Sequence, residues 1–472
     1  MTEIVKDTAG PAGPMVNGAV SYWYSEIGLP QYRNPLQGDE QADVCIVGGG
    51  FTGLWTAYYL MREQPDLRIV VLEKEFAGFG ASGRNGGWLS SELAGSRDRY
   101  AATHGRQGVA DLMRAMRLAV DEVIDVAAAE NIDAEIVKDG LLHVARNRAQ
   151  LQRAHEAIAF EQSWGAGPDD FTFLSAEDLA DRVAVAGALG GTYSPHCARV
   201  QPAKLVQGLA AAVERRGVRI YERTTALEIE SGRVRTDRGT VTAPIVLRCL
   251  EGFTANIKGA RRNWLPMNSS MIVTAPLPQS VKEKLGWTGA ELLGDFAHGY
   301  MYAQRTRDDR IALGGRGIPY RFGSRTDTRG ATQDATIRTL VRLLQDMFPA
   351  ARDVPVVHAW CGVLGVPRDW CATVDLDLTT GLGTAGGYVG SGLTTTNLAG
   401  RTLADLVLRR DTELTRLPWV GRRVRKWEPE PLRWLGVHAM YTLYREADRR
   451  EREHDLARTS PIARVANMIT GR

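Results

Sequence analysis

The sequence predicts an α/β chain: a parallel strand–helix–strand unit near the N-terminus, an α+β remainder and a helical C-terminal tail. Three observations carry that expectation. Asp43-Val-Cys-Ile-Val47 is a short apolar strand that runs directly into Gly48-Gly-Gly-Phe-Thr-Gly53. Behind it, Leu54, Ala57, Tyr58 and Met61 fall on one helical face at the i, i+3, i+4, i+7 spacing. Ile69-Val-Val-Leu72 is a second apolar run, closed by Glu73. Together they make a βαβ unit of about 30 residues.

Composition bounds the rest. A chain of 472 residues holds two or three domains. With 44% apolar and 24% charged residues it is globular, which excludes a disordered chain or a small stapled scaffold. A net charge of +3 is too mild to argue for nucleic acid. Five cysteines without a C-x-x-C pair make neither a disulfide framework nor a zinc site. The N-terminus lacks the pattern of a signal peptide, and no apolar run approaches a membrane span, so a reducing, cytoplasmic setting is expected. Glycine is the outlier, 50 residues, much of it in clusters.

The elements follow in order. Residues 1–40 are punctuated by Gly and Pro and read as an extension, partly ordered through Tyr22, Trp23 and Tyr24. Long helices are expected from Val109 to Glu130 and from Arg146 to Trp164, around a strand at Leu141–Ala145. Lys204 to Arg216 is an amphipathic helix, followed by Val218–Tyr221, a hairpin around Ser231-Gly232 and an apolar strand at Ile245–Leu250. Met301–Gln304 and Ile311–Leu313 flank Asp308-Asp309 as a hairpin. Thr332 to Met347 is a helix, and the Gly/Thr-rich stretch Gly381–Gly400 opens another that runs to Leu408. The tail from 416 on carries 13 Lys/Arg against 7 Asp/Glu; it reads as solvated surface or as a face packed on a second subunit of a homo-oligomer.

Gly48-x-Gly50-x-x-Gly53 carries the chemistry. It lies between strand and helix with an acid 20 residues after its last glycine, the context that a dinucleotide fingerprint requires. Gly48 permits the tight turn, Gly50 lets the backbone approach a pyrophosphate, and Gly53 allows close helix–strand packing. The helix N-terminus, with Phe51 and Thr52, faces the phosphates. Glu73, followed by Lys74, accepts from ribose hydroxyls. About ten residues further lies the stretch Gly80-Ala-Ser-Gly-Arg-Asn-Gly-Gly87, a loop for which a nicotinamide enzyme has no need.

The βαβ unit with this loop resembles the FAD-binding pattern of the D-amino-acid oxidase superfamily, in the branch of γ-glutamylputrescine oxidase and sarcosine oxidase. The resemblance runs over roughly residues 20–410, through Gln201-Pro-Ala-Lys-Leu-Val206, Thr224 to Leu227, Trp360-Cys-Gly-Val-Leu-Gly-Val-Pro and Gly386-Gly-Tyr-Val-Gly-Ser-Gly-Leu-Thr-Thr-Thr396. Trp427-Glu-Pro-Glu-Pro-Leu-Arg-Trp434 in the tail is similar to the same branch. Arg248 and Glu251 depart from the family's Ala-Thr-Asn/Gly strand end.

The resemblance implies a Rossmann-like FAD domain assembled from residues 41–105, 200–260 and 356–412. A substrate domain would be built from 106–199 and 261–355, with an extension at 1–40 and the tail at 413–472. It implies that Ser82, Asn85, Gly86 and Gly87 run along the pyrophosphate to the flavin, that backbone near Leu227 meets adenine, and that Gly390, Gly392, Leu393 and Thr394 face the ring. Trp88, Tyr302, Gln304 and Arg316 are the implied substrate contacts. Some sarcosine-oxidase relatives hold FAD through a cysteine thioether. Cys361 lies about one residue out of that register, so non-covalent FAD is expected. His298 and His358 sit in apolar strand contexts and read as structural, and no metal motif is present. The implied reaction is hydride loss from the carbon beside an amine nitrogen to flavin N5, giving an imine that hydrolyses, with oxygen or another acceptor closing the cycle. No catalytic acid or base stands out. The alternatives are a D-amino-acid dehydrogenase with a quinone acceptor and a flavin-bound redox sensor without turnover.

Overall fold

A computed structural model of the chain describes residues 15–315, 320–326 and 329–470. Val44–Val47 and Ile69–Leu72 are buried at every position. Such strands read as continuous apolar runs because parallel sheets are covered on both faces. Val44–Val47 is central in a six-stranded sheet ordered Arg219–Tyr221, Ile69–Leu72, Val44–Val47, Ile245–Arg248, Leu382–Gly386, Thr373–Asp377. Neighbours are parallel except for the last pair. Val44 lies opposite Ile69 on one side and Ile245 on the other, so the strand order reverses here. The carboxyl end of Val44–Val47 is thus a topological switch point, where open α/β sheets bind ligands.

The helix Phe51–Glu63, buried from Phe51 to Met61, packs on Gly392–Val407. The approach is so close that a Cβ at Gly400 would stand 2.6 Å from the Trp55 Cβ. The helix expected from Val109 begins at Arg97, because a break at Gly105 (φ 67°) joins a polar first segment to the amphipathic one. A four-stranded sheet of Ala226–Glu230, Arg233–Thr236, Thr240–Thr242 and Glu40–Gln41 packs Val234 and Val241 against Val70 and Val246.

A nine-stranded mixed sheet forms the second body. The hairpin expected around Asp308-Asp309 is there, as Met301–Arg305 paired antiparallel with Ile311–Gly315. Val356–Val366 also belongs to this sheet, paired with Leu265–Thr274 from Leu265 opposite Val366 to Thr274 opposite Val356. Its core gathers Leu142, Ile272, Leu293 and Leu313 beneath the helix Asp334–Met347, which supplies Ile337, Leu340 and Leu344.

The N-terminal segment is built into the fold more deeply than its composition suggests. Val16–Asn17 pairs parallel with His358 and Ala359, and the helix Tyr22–Ile27 buries Trp23 and Tyr24. The strand expected to reach Leu250 ends at Arg248, because Glu251 adopts φ 44° and starts a 3-10 turn over Glu251–Asn256. The tail forms Leu432–Glu453 and Pro461–Thr470. It docks through Trp427, whose indole N–H donates to the Val366 carbonyl at 2.7 Å, and through Glu451, which pairs with Arg153 at 2.9 Å. His298 lies 3.0 Å from Glu451, and the buried His358 ring lies 3.0 Å from the Gly18 carbonyl oxygen. Among the described residues no helix is long and apolar enough to cross a membrane.

Candidate active site

At the switch point Gly48 has φ 115°, and a Cβ there would fall 2.4 Å from the Cys249 carbonyl oxygen. A Cβ at Gly53 would fall 2.2 Å from the Gly48 oxygen, so the helix can approach the strand only because Gly53 is bare. The N-cap, Gly50, adds no side chain, which leaves the first turn and its dipole open to an anion. Ser82 reaches across from the second loop, its Oγ accepting from the Phe51 N–H at 2.9 Å. Thr52 and Tyr388 pair their hydroxyls at 3.1 Å, tying this helix to the C-terminal turn. Half-buried Glu73 accepts from the N–H groups of Gly49 (2.8 Å) and Glu75 (2.9 Å). Burial lifts its carboxyl to about 7 against the pull of those amides. Lys74 is exposed. Leu227 lies in the strand Ala226–Glu230, and Thr224, three residues before it, donates its N–H to the Glu73 carbonyl at 3.0 Å.

The 80–87 loop is held from several sides. Asn85 folds onto its own loop, donating to the Ser82 carbonyl (2.8 Å) and accepting from the Gly87 N–H (2.8 Å). Ser21 donates to the Gly83 carbonyl (2.7 Å), Trp23 to that of Asn85 (2.8 Å) and Trp360 to that of Arg84 (2.9 Å). In the C-terminal turn Gly390 has φ 116°, and the helix Gly392–Val407 follows with Leu393 and Thr394 buried. The Thr394 hydroxyl is buried without a hydrogen-bond partner among the described residues.

These parts meet at a cavity of about 900 Å³ lined by Asn85 and Gly86, by Gly362 of the long strand and by Gly390 and Ser391. Trp88 and Tyr302 stand in its wall with rings 6.0 Å apart. Tyr302 is pressed so close to the loop that a Cβ at Gly86 would lie 2.9 Å from its ring. Gln304 is not in the wall: it is 2% exposed, and its amide donates to the Gly86 carbonyl at 2.6 Å. It shapes the loop rather than facing the cavity. Arg316 lies outside the described residues. Cys361 alternates with Gly362, and its thiol donates to the Ala331 carbonyl at 3.3 Å, on the face away from the cavity.

Several site groups escape the sequence. Glu251, seen there only as a departure from the family pattern, accepts from the N–H groups of Gly365 (2.5 Å) and Tyr388 (2.9 Å), stitching two cavity-lining segments together. Burial raises its carboxyl to about 7. Asp295 lines the cavity and accepts from the Met301 N–H at 3.1 Å; burial raises it to about 7 as well. Glu92, His143 and Phe296 complete the wall. None of them sits in a motif, and only the pairing of distant strands brings them together.

The residues present fit a flavin dinucleotide. A helix N-terminus whose own N-cap, Gly50, adds no side chain suits the pyrophosphate, Glu73 offers an acceptor to the ribose, and the orphaned Thr394 hydroxyl lies at the turn where a polar ring edge would rest. A family model described as FAD dependent oxidoreductase matches residues 43–406. The chain is 30% identical over 386 residues to the probable oxidoreductase OrdL of Rhizobium meliloti (strain 1021), covering 80% of this chain and 86% of that protein. It is also 30% identical over 379 residues to the gamma-glutamylputrescine oxidoreductase of Escherichia coli (strain K12), covering 79% and 84%. The crystal structure of glycine oxidase from Geobacillus kaustophilus superposes with a TM-score of 0.66 at 22% identity over 81% of this chain and 99% of that one, which shows the shared fold.

Proposed function

The chain belongs to the FAD dependent oxidoreductase (DAO) family, matched over residues 43–406, and from that premise we propose that it oxidises the C–N bond of a primary or secondary amine or of an amino acid. One observation supports this reading above others: a single cavity joins the 80–87 loop and the turn at Gly390 to an aromatic wall of Trp88 and Tyr302. The curated relatives named above include an oxidoreductase of an amine, gamma-glutamylputrescine.

FAD supplies the two-electron acceptor. The fingerprint glycines, Ser82 and Glu73 would hold its dinucleotide part, and the 85–87 loop and the 390–394 turn would hold the ring. The substrate loses a hydride from the carbon beside nitrogen and leaves as an imine that water hydrolyses. Only the neutral amine has the lone pair that drives this loss, so kcat/KM rises with pH through an ionisation of free substrate or site. Trp88 and Tyr302 orient the C–H bond and exclude water, which is where rate is gained when the cofactor carries the chemistry. Arg316 or Tyr302 anchors a distal polar group of the substrate. Oxygen is the proposed acceptor, with quinone as the alternative. A cytoplasmic setting accords with five buried free thiols.

The test is anaerobic stopped-flow bleaching of the flavin against an amine and amino-acid panel, with NADPH alongside. Bleaching by amines and not by NADPH is expected. Fast bleaching by NADPH alone would overturn the reading and leave the fold untouched. Re-oxidation by oxygen against a soluble quinone then separates oxidase from dehydrogenase.

A further inference from the structure

The charges that line the cavity are only partly paired. Among the described residues four arginines line it: Arg84, Arg97, Arg117 and Arg153. Three of them are matched by carboxylates, Arg97 by Glu161 (2.6 Å), Arg117 by Asp170 (2.8 Å) and Arg153 by Glu451 (2.9 Å). Arg84 is turned to the carbonyl oxygens of Phe79 (2.7 Å) and Cys361 (3.3 Å). Glu92 is different. Its side chain is 48% exposed on the cavity wall, and its ionic neighbour is the His143 ring, 3.8 Å away.

Glu92 closes a row of aromatic rings. Tyr302 lies against Gly86 of the cofactor loop. Trp88 follows at 6.0 Å between centroids, edge to face; His143 at 6.4 Å from Trp88; and Phe296 at 5.6 Å from His143. Trp88 is fixed by its indole bond to the Ala303 carbonyl at 3.2 Å. Aromatic rings beside a half-exposed carboxylate favour a cation over an anion, because the ring quadrupole and the carboxylate act in the same direction.

We propose that Trp88, His143, Phe296 and Glu92 form a subsite for a second, positively charged nitrogen. The substrate class that follows is an amine with a protonated or alkylated nitrogen at its far end, of the α,ω-diamine kind. One nitrogen, neutral, stands at the cofactor end by Tyr302; the other, cationic, is held between the rings and Glu92. This rests on the amine-oxidising reading above and names the substrate class for the same site.

The experiment uses the FAD-loaded enzyme. Anaerobic bleaching is titrated with a homologous series of α,ω-diamines, with n-alkylamines of matched length and with ω-amino acids. Binding is read separately by calorimetry with a mono-quaternary ammonium, which cannot be oxidised, against its uncharged carbon isostere of equal length. The diamines are expected to bleach the flavin at concentrations about tenfold or more below those of the n-alkylamines, and the quaternary ligand to bind about tenfold or more tightly than its isostere, the scale of one added desolvated charge contact. Glu92→Gln collapses both ratios, and Phe296→Leu lowers them. Equal behaviour of the charged ligands and their uncharged-end counterparts overturns the subsite while leaving amine oxidation standing. Preference for ω-amino acids overturns it in favour of a cationic anchor such as Arg316. Bleaching by no amine at all removes both readings together.

Discussion

The Gln304 side-chain amide donates to the Gly86 carbonyl at 2.6 Å, one bond from the middle of the nine-stranded sheet to the loop on the six-stranded one. At that position a Cβ on Gly87 would come within 2.1 Å of the same amide nitrogen, so loop and strand fit only in this arrangement. Gln304→Ala leaves the Gly86 carbonyl without its donor in a dry setting. It should cost about 2–3 kcal/mol of stability. With the loop loosened, flavin reduction should slow about tenfold at saturating substrate, since alignment is what the loop provides. Thermal unfolding and single-turnover bleaching measure the two effects; a variant that loses neither would show that the bond is idle.

Gly53→Ala tests the helix–strand approach. The new methyl would meet the Gly48 oxygen at 2.2 Å, which forces the Phe51–Glu63 helix off its strand. Such overpacking costs roughly 1–3 kcal/mol. The purified variant should carry little or no FAD by absorbance, whereas full flavin content would contradict the assigned cradle.

Glu73 makes cofactor binding depend on pH. Its carboxyl stands at about 7 in the folded chain, raised by burial from an ordinary value of 4.5. A raised acid favours the folded state most below its unfolded value, and that contribution is lost as pH rises through 7. With Glu73 as the proposed acceptor of the ribose hydroxyls, the carboxylate accepts more strongly than the neutral acid, so FAD binding is expected to favour ionised Glu73 and to release a proton below pH 7. Affinity for FAD should climb about tenfold between pH 6 and 8 and then level, as a titration centred near 7 requires. Calorimetry in two buffers of different ionisation enthalpy counts the proton. Glu73→Gln should bind more weakly with a flat profile, and an unchanged slope in that variant would move the ionisation elsewhere.

Acid precipitation should leave the flavin in the supernatant, because the Cys361 thiol faces the Ala331 carbonyl and not the cavity. Colour that stays in the pellet, and is lost in Cys361→Ser, would show a thioether instead.

The tail is fastened by a buried charge. Burial alone would raise Glu451, but bonds from His298 and Arg153 outweigh it and hold its carboxyl at about 2. The stabilisation is present above the ordinary value of 4.5 and is lost as pH falls towards 2. Glu451→Gln strands Arg153 and should cost about 3 kcal/mol. Limited proteolysis of the 432–470 segment should therefore accelerate in that variant, and in the native chain below pH 4. Equal protection would place the anchor in Trp427.

The parts of this molecule that are local in the chain were legible in advance. The fingerprint, the Met301–Gln304 hairpin and the Gly/Thr-rich helix start are patterns of adjacent residues, and each stands close to where the sequence puts it. Glu92 and His143 belong to the wall only because Trp88–Ser90 and Leu141–Ala145 are carried there by other strands. Glu251 looked like a misfit because the sequence could not show the amides of Gly365 and Tyr388, more than a hundred residues away, that it accepts from. Gln304 was recognised as near the site but not as loop support, since burial of a polar side chain leaves no trace in its neighbours' spacing.

Residues 16 and 17 run beside 358 and 359, and Ser21 and Trp23 close over the loop at 83–85. A chain emerging from the ribosome N-terminus first therefore presents its nucleotide turn long before the strand that holds the clamp exists. The strand at 16–17 has to wait, unpaired, until some 340 further residues have been made, and non-local pairing of that kind is slow. Loading of the cofactor is therefore expected to follow completion of the polypeptide. Expression at lower temperature, or with flavin supplied after synthesis has ended, should raise the yield of yellow protein more than flavin supplied during translation.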